Sequence, residues 1–264
     1  MSGYAIETQA LTRTFGSQIA VDQLSLRVPE GSFYGFLGPN GAGKSTTINI
    51  LTGLLAPTSG SARVLGFDVA AQDLEVKRRI GVVPDGLHLF ERLTGEEHLR
   101  FVGEIMGLDA AVARERAGEL LAAMDLTASA TKPISGYSHG MRKKLALSCA
   151  LIHEPRVLFL DEPFEGVDAV ATREIRELLQ KLVAQRHVTV FLTSHVLEVV
   201  ERLCTHVGII MGGKVAVEGS LDELRRAPDG STRSLEELFL DTIGARRENP
   251  SAGLDWLTDA KDGE

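Results

Sequence analysis

The sequence is short of cysteine, of positive charge and of long apolar runs, and each shortage excludes something. Cys149 and Cys204 are its only cysteines in 264 residues. Two cysteines make neither a disulfide framework nor a metal cage. Both sit in apolar stretches, so they read as reduced core residues of a cytosolic chain. No apolar run approaches the roughly 18 residues of a membrane span, so any membrane role is expected to come through a partner. Met1-Ser2-Gly3-Tyr4-Ala5 lacks a basic segment followed by an apolar one, and no signal peptide is expected. Lys and Arg number 28 against 36 Asp and Glu, for a formal net charge of −8. That balance argues against a nucleic-acid binder that relies on broad phosphate neutralisation, while leaving room for a local basic patch. What is present is ordinary for a folded chain: 44% hydrophobic and 24% charged residues. The length fits one large α/β domain, or a core with a small inserted one.

The richest stretch is Gly38-Pro39-Asn40-Gly41-Ala42-Gly43-Lys44-Ser45. Before it, Ser32-Phe33-Tyr34-Gly35-Phe36-Leu37 reads as a buried strand. After it, Thr46-Thr47-Ile48-Asn49-Ile50-Leu51 reads as the first turns of a helix. Strand, glycine-rich loop, Lys, Ser and helix form a phosphate-binding P-loop in its proper context. The glycines let backbone N–H groups point at a polyphosphate, and the helix N-terminus adds partial positive charge. Lys44 supplies a full charge, and the Ser45 hydroxyl is placed to ligate Mg²⁺.

Elsewhere the pattern alternates between sheet and helix. Leu24, Leu26 and Val28 alternate with Ser25 and Arg27, so the first thirty residues read as an antiparallel sheet. Between its strands, Phe15-Gly16 alone reads as a core aromatic beside a turn. Pro57-Thr58-Ser59-Gly60 precedes a short strand expected near Ala62 to Leu65. Ile80 to Val83 reads as a buried strand stopped by Pro84, and Asp85-Gly86 opens a loop. Thr94-Gly95-Glu96-Glu97 has capping-box spacing, so a helix starts at Thr94. Its apolar stripe is Leu99, Val102 and Met106, widened by Phe101 and Ile105. A second helix spans roughly Ala110 to Met124. A third, Met141 to Ile152, opens with Arg142, Lys143 and Lys144, a triplet that reads as a solvated face.

Val157-Leu158-Phe159-Leu160 is an apolar strand running into Asp161-Glu162. Residues 172–186 read as an amphipathic helix. Val188 to Leu192 is the next strand, followed by Thr193-Ser194-His195. Val207 to Met211 and Lys214 to Val217 form a hairpin through Gly212-Gly213, and Ser234-Leu235-Glu236-Glu237 starts a last short helix. Strands alternating with helices imply a mainly parallel sheet. The chain divides into a nucleotide-binding α/β core (1–85 and 153–222), a helical insertion (86–152), and a C-terminal helix with a loosely ordered tail (223–264). Trp256 in that tail reads as a docking contact. Asp161 and Glu162, delivered by a strand end to the ligand crevice, complete a P-loop site. There Asp161 can hold Mg²⁺ through water and Glu162 can polarise an attacking water.

With these residues in place the sequence resembles the ATP-binding cassette (ABC) ATPases over roughly residues 4–240. The motifs are the P-loop, Tyr137-Ser138-His139-Gly140-Met141, Asp161-Glu162, Glu165-Gly166-Val167-Asp168, and His195 after the next strand. The resemblance implies a P-loop NTPase (RecA-like) α/β core, with an N-terminal antiparallel β subdomain and an inserted helical subdomain. It implies ATP and Mg²⁺ as ligands, held by residues 38–46 (Gly38 to Thr46) with Ser45, Asp161 and Asp85 at the metal. Phe15 is implied to stack on adenine, Glu162 to be the general base and His195 to contact the γ-phosphate. Ser138 and Gly140 are implied to reach the nucleotide of a second cassette, with Asp168 at the dimer interface. Where the family signature reads Leu-Ser-Gly-Gly-Gln, this chain has Tyr137, His139 and Met141 at three positions. Asp85 stands where the family has Gln, the residue that links the Mg²⁺ site to the transmembrane partner.

The implied protein is an ATPase subunit that drives a separate transmembrane permease. Gly219-Ser220-Leu221 through Ser234 to Phe239 looks like the ending of cassettes paired with type-2 exporters. It is expected in the cytoplasm, peripheral on the inner face of the membrane through its permease. It would act with a second cassette, as homodimer or heterodimer, and without nucleic acid. The rivals are a soluble cassette acting on ribosomes or DNA, and a non-hydrolysing binding module. Ribosome-associated relatives usually carry tandem cassettes, and this chain has one P-loop. DNA-repair relatives carry a long coiled coil, and no sustained heptads occur here. Glu162 and His195 argue against the binding module.

Overall fold

The computed structural model describes residues 3–226 and 230–244. Its strands are β1 (Tyr4–Phe15), β2 (Gln18–Pro29), β3 (Phe33–Leu37), β4 (Ser59–Val64), β5 (Phe67–Asp68), β6 (Ile80–Val83), β7 (Val157–Asp161), β8 (Thr189–Thr193), β9 (His206–Met211) and β10 (Lys214–Ser220). They form two sheets. The first is four-stranded and antiparallel, in the order β2-β1-β4-β5. On β2, Leu24, Leu26 and Val28 are buried while Ser25 and Arg27 are exposed, the two-residue period of a half-buried strand. β4 begins at Ser59, ahead of the expected start near Ala62.

The second sheet is six-stranded, in the order β10-β9-β3-β8-β7-β6. Only the β9–β10 hairpin is antiparallel; β9, β3, β8, β7 and β6 run parallel. β3, β7 and β8 are buried along their whole length, as expected where both faces of a parallel sheet are covered. Tyr34, Phe36, Phe159 and Phe191 turn toward the antiparallel sheet. Phe191 is the centre of that cluster: it stacks on Tyr34 at 5.4 Å and lies 5.3 Å from Phe36 and 5.6 Å from Phe159. Phe33, Leu37, Leu158, Leu160, Val190 and Leu192 turn the other way, into a second apolar cluster shared with the helices.

The helices are α1 (Lys44–Leu51), α2 (Asp73–Lys77), α3 (Gly95–Ile105), α4 (Ala110–Ala123), α5 (His139–Leu151), α6 (Ala169–Arg186), α7 (Leu197–Leu203), α8 (Leu221–Leu224) and α9 (Leu235–Thr242). α1 lies between the two sheets, with Ile48, Ile50 and Leu51 among the aromatics. α3 and α9 start at full capping boxes, Thr94 with Glu97 and Ser234 with Glu237. α5 lies hard against β6: a Cβ at Gly81 would come 2.2 Å from the Ala150 carbonyl. Among the described residues no helix is long and apolar enough to cross a membrane. Cys149 and Cys204 are free thiols. Burial pushes Cys149 up to about 12 and raises Cys204 as well.

Several sequence expectations are corrected. Phe101 and Ile105 do not widen the buried stripe of α3, since they are 42% and 66% exposed. α5 and α6 begin earlier than periodicity indicates, at Ser138 and Asp168, whose side chains cap them. The triplet opening α5 is not a solvated face. Lys143 is 3% and Lys144 8% exposed, Lys144 pairs with Glu174, and Arg142 bonds Glu91 at 2.9 Å. Trp256 and residues 246–264 lie outside the described residues.

Candidate active site

A cleft of about 670 Å³ opens beyond the C-terminal ends of the parallel strands, where open α/β sheets bind ligands. The loop after β3 contributes Asn40, Gly41, Gly43, Lys44, Ser45 and Thr46. The ends of β6 and β7 contribute Asp85, Asp161 and Glu162, and His195 follows β8. The β1–β2 hairpin closes one side with Phe15, Gln18 and Ala20. Phe15 is exposed rather than core, with the Arg13 guanidinium 4.6 Å from its ring centre.

The glycine-rich loop has a shape that few sequences allow. Gly43 sits at φ +108°, and a Cβ there would lie 2.4 Å from the Ala20 carbonyl. Only glycine fits. α1 starts at this residue without a side-chain cap, whereas Ser138 and Asp168 cap α5 and α6. The first-turn N–H groups of α1 are therefore left to an acceptor from outside the helix, which suits an anion. Lys44 is buried, and its Nζ donates to the Gly38 and Pro39 carbonyls at 2.7 and 3.3 Å. Gly38 and Pro39, with Asn40, line an adjoining groove shared with His195 and Phe239. Ala42 is buried in the core.

The carboxylates are held by the pairing of β7 with β8. Asp161 lies opposite Thr193 in register, and the Thr193 hydroxyl donates to Asp161 Oδ1 at 2.5 Å. The same Thr193 oxygen accepts the Glu162 N–H at 3.1 Å. Glu162 has φ +48°, a left-handed backbone that costs a non-glycine residue about 1–3 kcal/mol. Its carboxylate turns to His195: Oε2 accepts the His195 N–H at 3.2 Å and lies 3.0 Å from Nδ1. A carboxylate and a histidine thus meet in the cleft that the glycine-rich loop lines.

Ser138, Gly140 and Asp168 lie outside this cleft, close to one another. Ser138 Oγ accepts the Met141 N–H at 3.2 Å. A Cβ at Gly140 would stand 3.4 Å from Asp168 Oδ2. Asp168 accepts from the Ala171 and Val170 N–H groups at 3.0 and 2.9 Å, which holds its carboxyl below the usual range. His139 Nε2 lies 3.2 Å from the Glu165 carbonyl.

Sequence reasoning missed Gln18, Ala20 and Lys143. The first two carry no motif. Lys143 was hidden in a basic run, yet its Nζ donates to the Glu162 carbonyl at 2.8 Å.

Known proteins of similar sequence and fold give the chain a family. Residues 21–165 match the family model described as ABC transporter. The chain is 39% identical over 221 residues to the bacitracin transport ATP-binding protein BcrA of Bacillus licheniformis, covering 84% of this chain and 71% of that protein. It is 41% identical over 221 residues to the daunorubicin/doxorubicin resistance ATP-binding protein DrrA of Streptomyces peucetius, covering 84% and 67%. A solved ATP-binding subunit of an ABC transporter superposes with TM-score 0.84 at 31% identity, over 90% of this chain and 99% of the other. A dimeric ATP-binding cassette in a post-hydrolysis state, bound to ADP and Pi, superposes with TM-score 0.75 at 26% identity, over 82% and 98%. The chain belongs to the ABC transporter family, as an ATP-binding cassette that hydrolyses ATP.

Proposed function

We propose that this cassette powers a separate membrane permease of the exporter type, closing head to tail with a second cassette over ATP and reopening after hydrolysis. The observation that carries the reading is the meeting of Glu162 with His195 in the cleft that also holds Lys44 and Ser45. The relatives named for bacitracin transport and for daunorubicin/doxorubicin resistance support the exporter class.

In this reading the uncapped N–H groups of α1 and the Lys44 ammonium take the phosphates. Phe15 stacks on adenine. Glu162 accepts a proton from the attacking water, and His195 steadies the γ-phosphate. Among the described residues no group of His, Cys, Asp and Glu forms a complete metal cage. The cleft instead offers the Ser45 hydroxyl and the Asp161 carboxylate, a partial, all-oxygen set. That suits Mg²⁺, which keeps waters and takes phosphate oxygens. Ser45 and Asp161 would hold it, with Asp85 acting through water. Bound there, Mg²⁺ neutralises phosphate charge. Ser138 and Gly140, outside the cleft of their own chain, serve the second cassette's nucleotide. That cassette is a copy of this chain or a sister chain, and Asp168 lies at the shared face.

The permease meets the exposed aromatic cluster beyond Asp85. Phe90 and Phe101 are both exposed and pack edge to face at 5.5 Å, on the chain segment that leaves the cleft at Asp85. In cells the cassette is then cytoplasmic and held at the inner face of the membrane. The test is fractionation of cells expressing the chain with its permease. The wild type sediments with membranes and leaves them in detergent as a complex with the permease. Phe90→Glu with Phe101→Glu stays soluble and hydrolyses ATP as before. An unchanged distribution of the double variant removes this surface, and a soluble wild type contradicts the function.

A further inference from the structure

Lys143 is a charged side chain in a place that usually excludes charge. It is carried by the second turn of α5 and is almost wholly buried. Burial pushes its pKa down, while Asp85, Glu165, Glu162 and Asp161 favour its charged form. All four of those carboxylate residues line the nucleotide cleft. Lys143 therefore lies beneath the cleft without lining it, as a cation facing the cleft's acidic side.

Its hydrogen bond goes to the residue that most needs one. The Glu162 backbone is left-handed, and such a conformation persists only where its surroundings fix it. The N–H of Glu162 is held by Thr193 at 3.1 Å. Its carbonyl takes the Lys143 ammonium at 2.8 Å and, less closely, the Glu165 N–H at 3.3 Å. Both backbone groups of Glu162 are thus fixed by side chains from outside its own strand.

We propose that Lys143 is a positioning residue for hydrolysis: by holding the Glu162 carbonyl it fixes the backbone turn that aims the Glu162 carboxylate at the cleft. This rests on the reading of Glu162 as the general base. It also gives α5 two tasks at once. Ser138, the N-cap of this helix, is assigned to the second cassette's nucleotide, and His139 meets the Glu165 carbonyl at 3.2 Å. A shift of α5 on cassette closure is then felt at the base of its own site.

The test is steady-state turnover of the purified chain against ATP concentration, with direct ATP titration and melting temperature alongside. Lys143→Met keeps the length and removes charge and donor. It is expected to lower kcat about 10- to 100-fold, the usual effect of a misaimed group, with KM and ATP affinity nearly unchanged. Lys143→Arg, which restores charge and donor, recovers most of the loss. If Lys143→Met does not fold, Lys143→Gln is compared with Lys143→Arg in the same way. An unchanged kcat per folded molecule, with only a lower melting temperature, overturns the proposal. So does a loss of ATP affinity that accounts for the lost turnover. Glu162→Gln run in parallel separates the two claims. If it is inactive while Lys143→Met turns over normally, Lys143 alone is misassigned. If Glu162→Gln turns over like the wild type, the base assignment falls and the Lys143 proposal with it.

Discussion

Thr193 donates its hydroxyl to Asp161 at 2.5 Å across the β7–β8 pair. The two residues are opposite partners in the parallel register, so correct strand pairing and a correctly aimed carboxylate are one event. The same oxygen accepts the Glu162 N–H, and one side chain orients both acids of the site. Thr193→Val keeps the shape and removes the hydroxyl. A buried hydrogen bond to a charged group is worth about 1.5–3 kcal/mol. For a chain of this size the melting temperature should fall by about 3–5 °C. Half-saturation by Mg²⁺ should also rise. A Thr193→Val enzyme with wild-type Mg²⁺ dependence would show that the threonine serves packing alone.

Asp85 lines the cleft, and direct approach of its carboxylate to a nucleotide phosphate would be repulsive. For like charges near 4 Å the repulsion is about 1–4 kcal/mol at effective dielectrics between 80 and 20. The buried Lys143 nearby offsets part of it. Asp85→Ala should bind ATP with near-normal affinity, lose most hydrolysis and alter the Mg²⁺ profile. Measuring rate against Mg²⁺ concentration, with melting temperature, decides it. If Asp85 only shapes the loop before Gly86, stability drops and turnover per folded molecule stays the same.

Ser138 caps α5 and lies outside its own chain's cleft. Ser138→Arg should leave ATP binding to the monomer nearly normal and block ATP-dependent dimerisation. Sizing chromatography in the Glu162→Gln background reads this directly. A double variant that still dimerises with ATP would remove Ser138 from the contact between cassettes.

Local patterns were legible in the sequence, and distant ones were not. The P-loop is contiguous, so Lys44 and Ser45 were placed by spacing alone. The caps at Thr94 and Ser234 are likewise complete within four residues. Thr193 was seen only as the end of a strand, because its bond to Asp161 is made by register between strands far apart in sequence. Lys143 was misread for the same reason. Nothing in Arg142-Lys143-Lys144 tells that the fold buries both lysines, since their partners, the Glu162 carbonyl and the Glu174 carboxylate, lie far along the chain. Phe101 and Ile105 continue the apolar period of α3, but α4 and α5 cover only the stripe through Leu99, and their exposure follows from tertiary packing. Asp168 was assigned from the resemblance to an interface; its capping of α6 was not anticipated.

Acid should destabilise the fold through the buried His98 and the half-buried His153. Desolvation lowers the pKa of His98. Desolvation also lowers His153, helped by Arg116 and opposed by its bond to the Ile80 carbonyl. Both remain neutral in the fold at a pH where the unfolded chain, with a histidine pKa of about 6.5, already binds protons. Their stabilising contribution is present above that value and is lost as pH falls through the lower, folded-state pKa. Melting temperature should therefore drop between about pH 7 and pH 5, and His98→Leu should flatten part of that slope. An identical slope in the variant would exclude His98 as a source of the acid sensitivity.

Glu162 carries the central claim, and Glu162→Gln tests it most directly. The amide keeps the shape and hydrogen bonding of the side chain and removes the base. Direct titration should give ATP affinity close to wild type, while steady-state hydrolysis falls by about 10²- to 10⁴-fold, the usual worth of a general base. Wild-type turnover in Glu162→Gln, with ATP binding intact, would contradict the account.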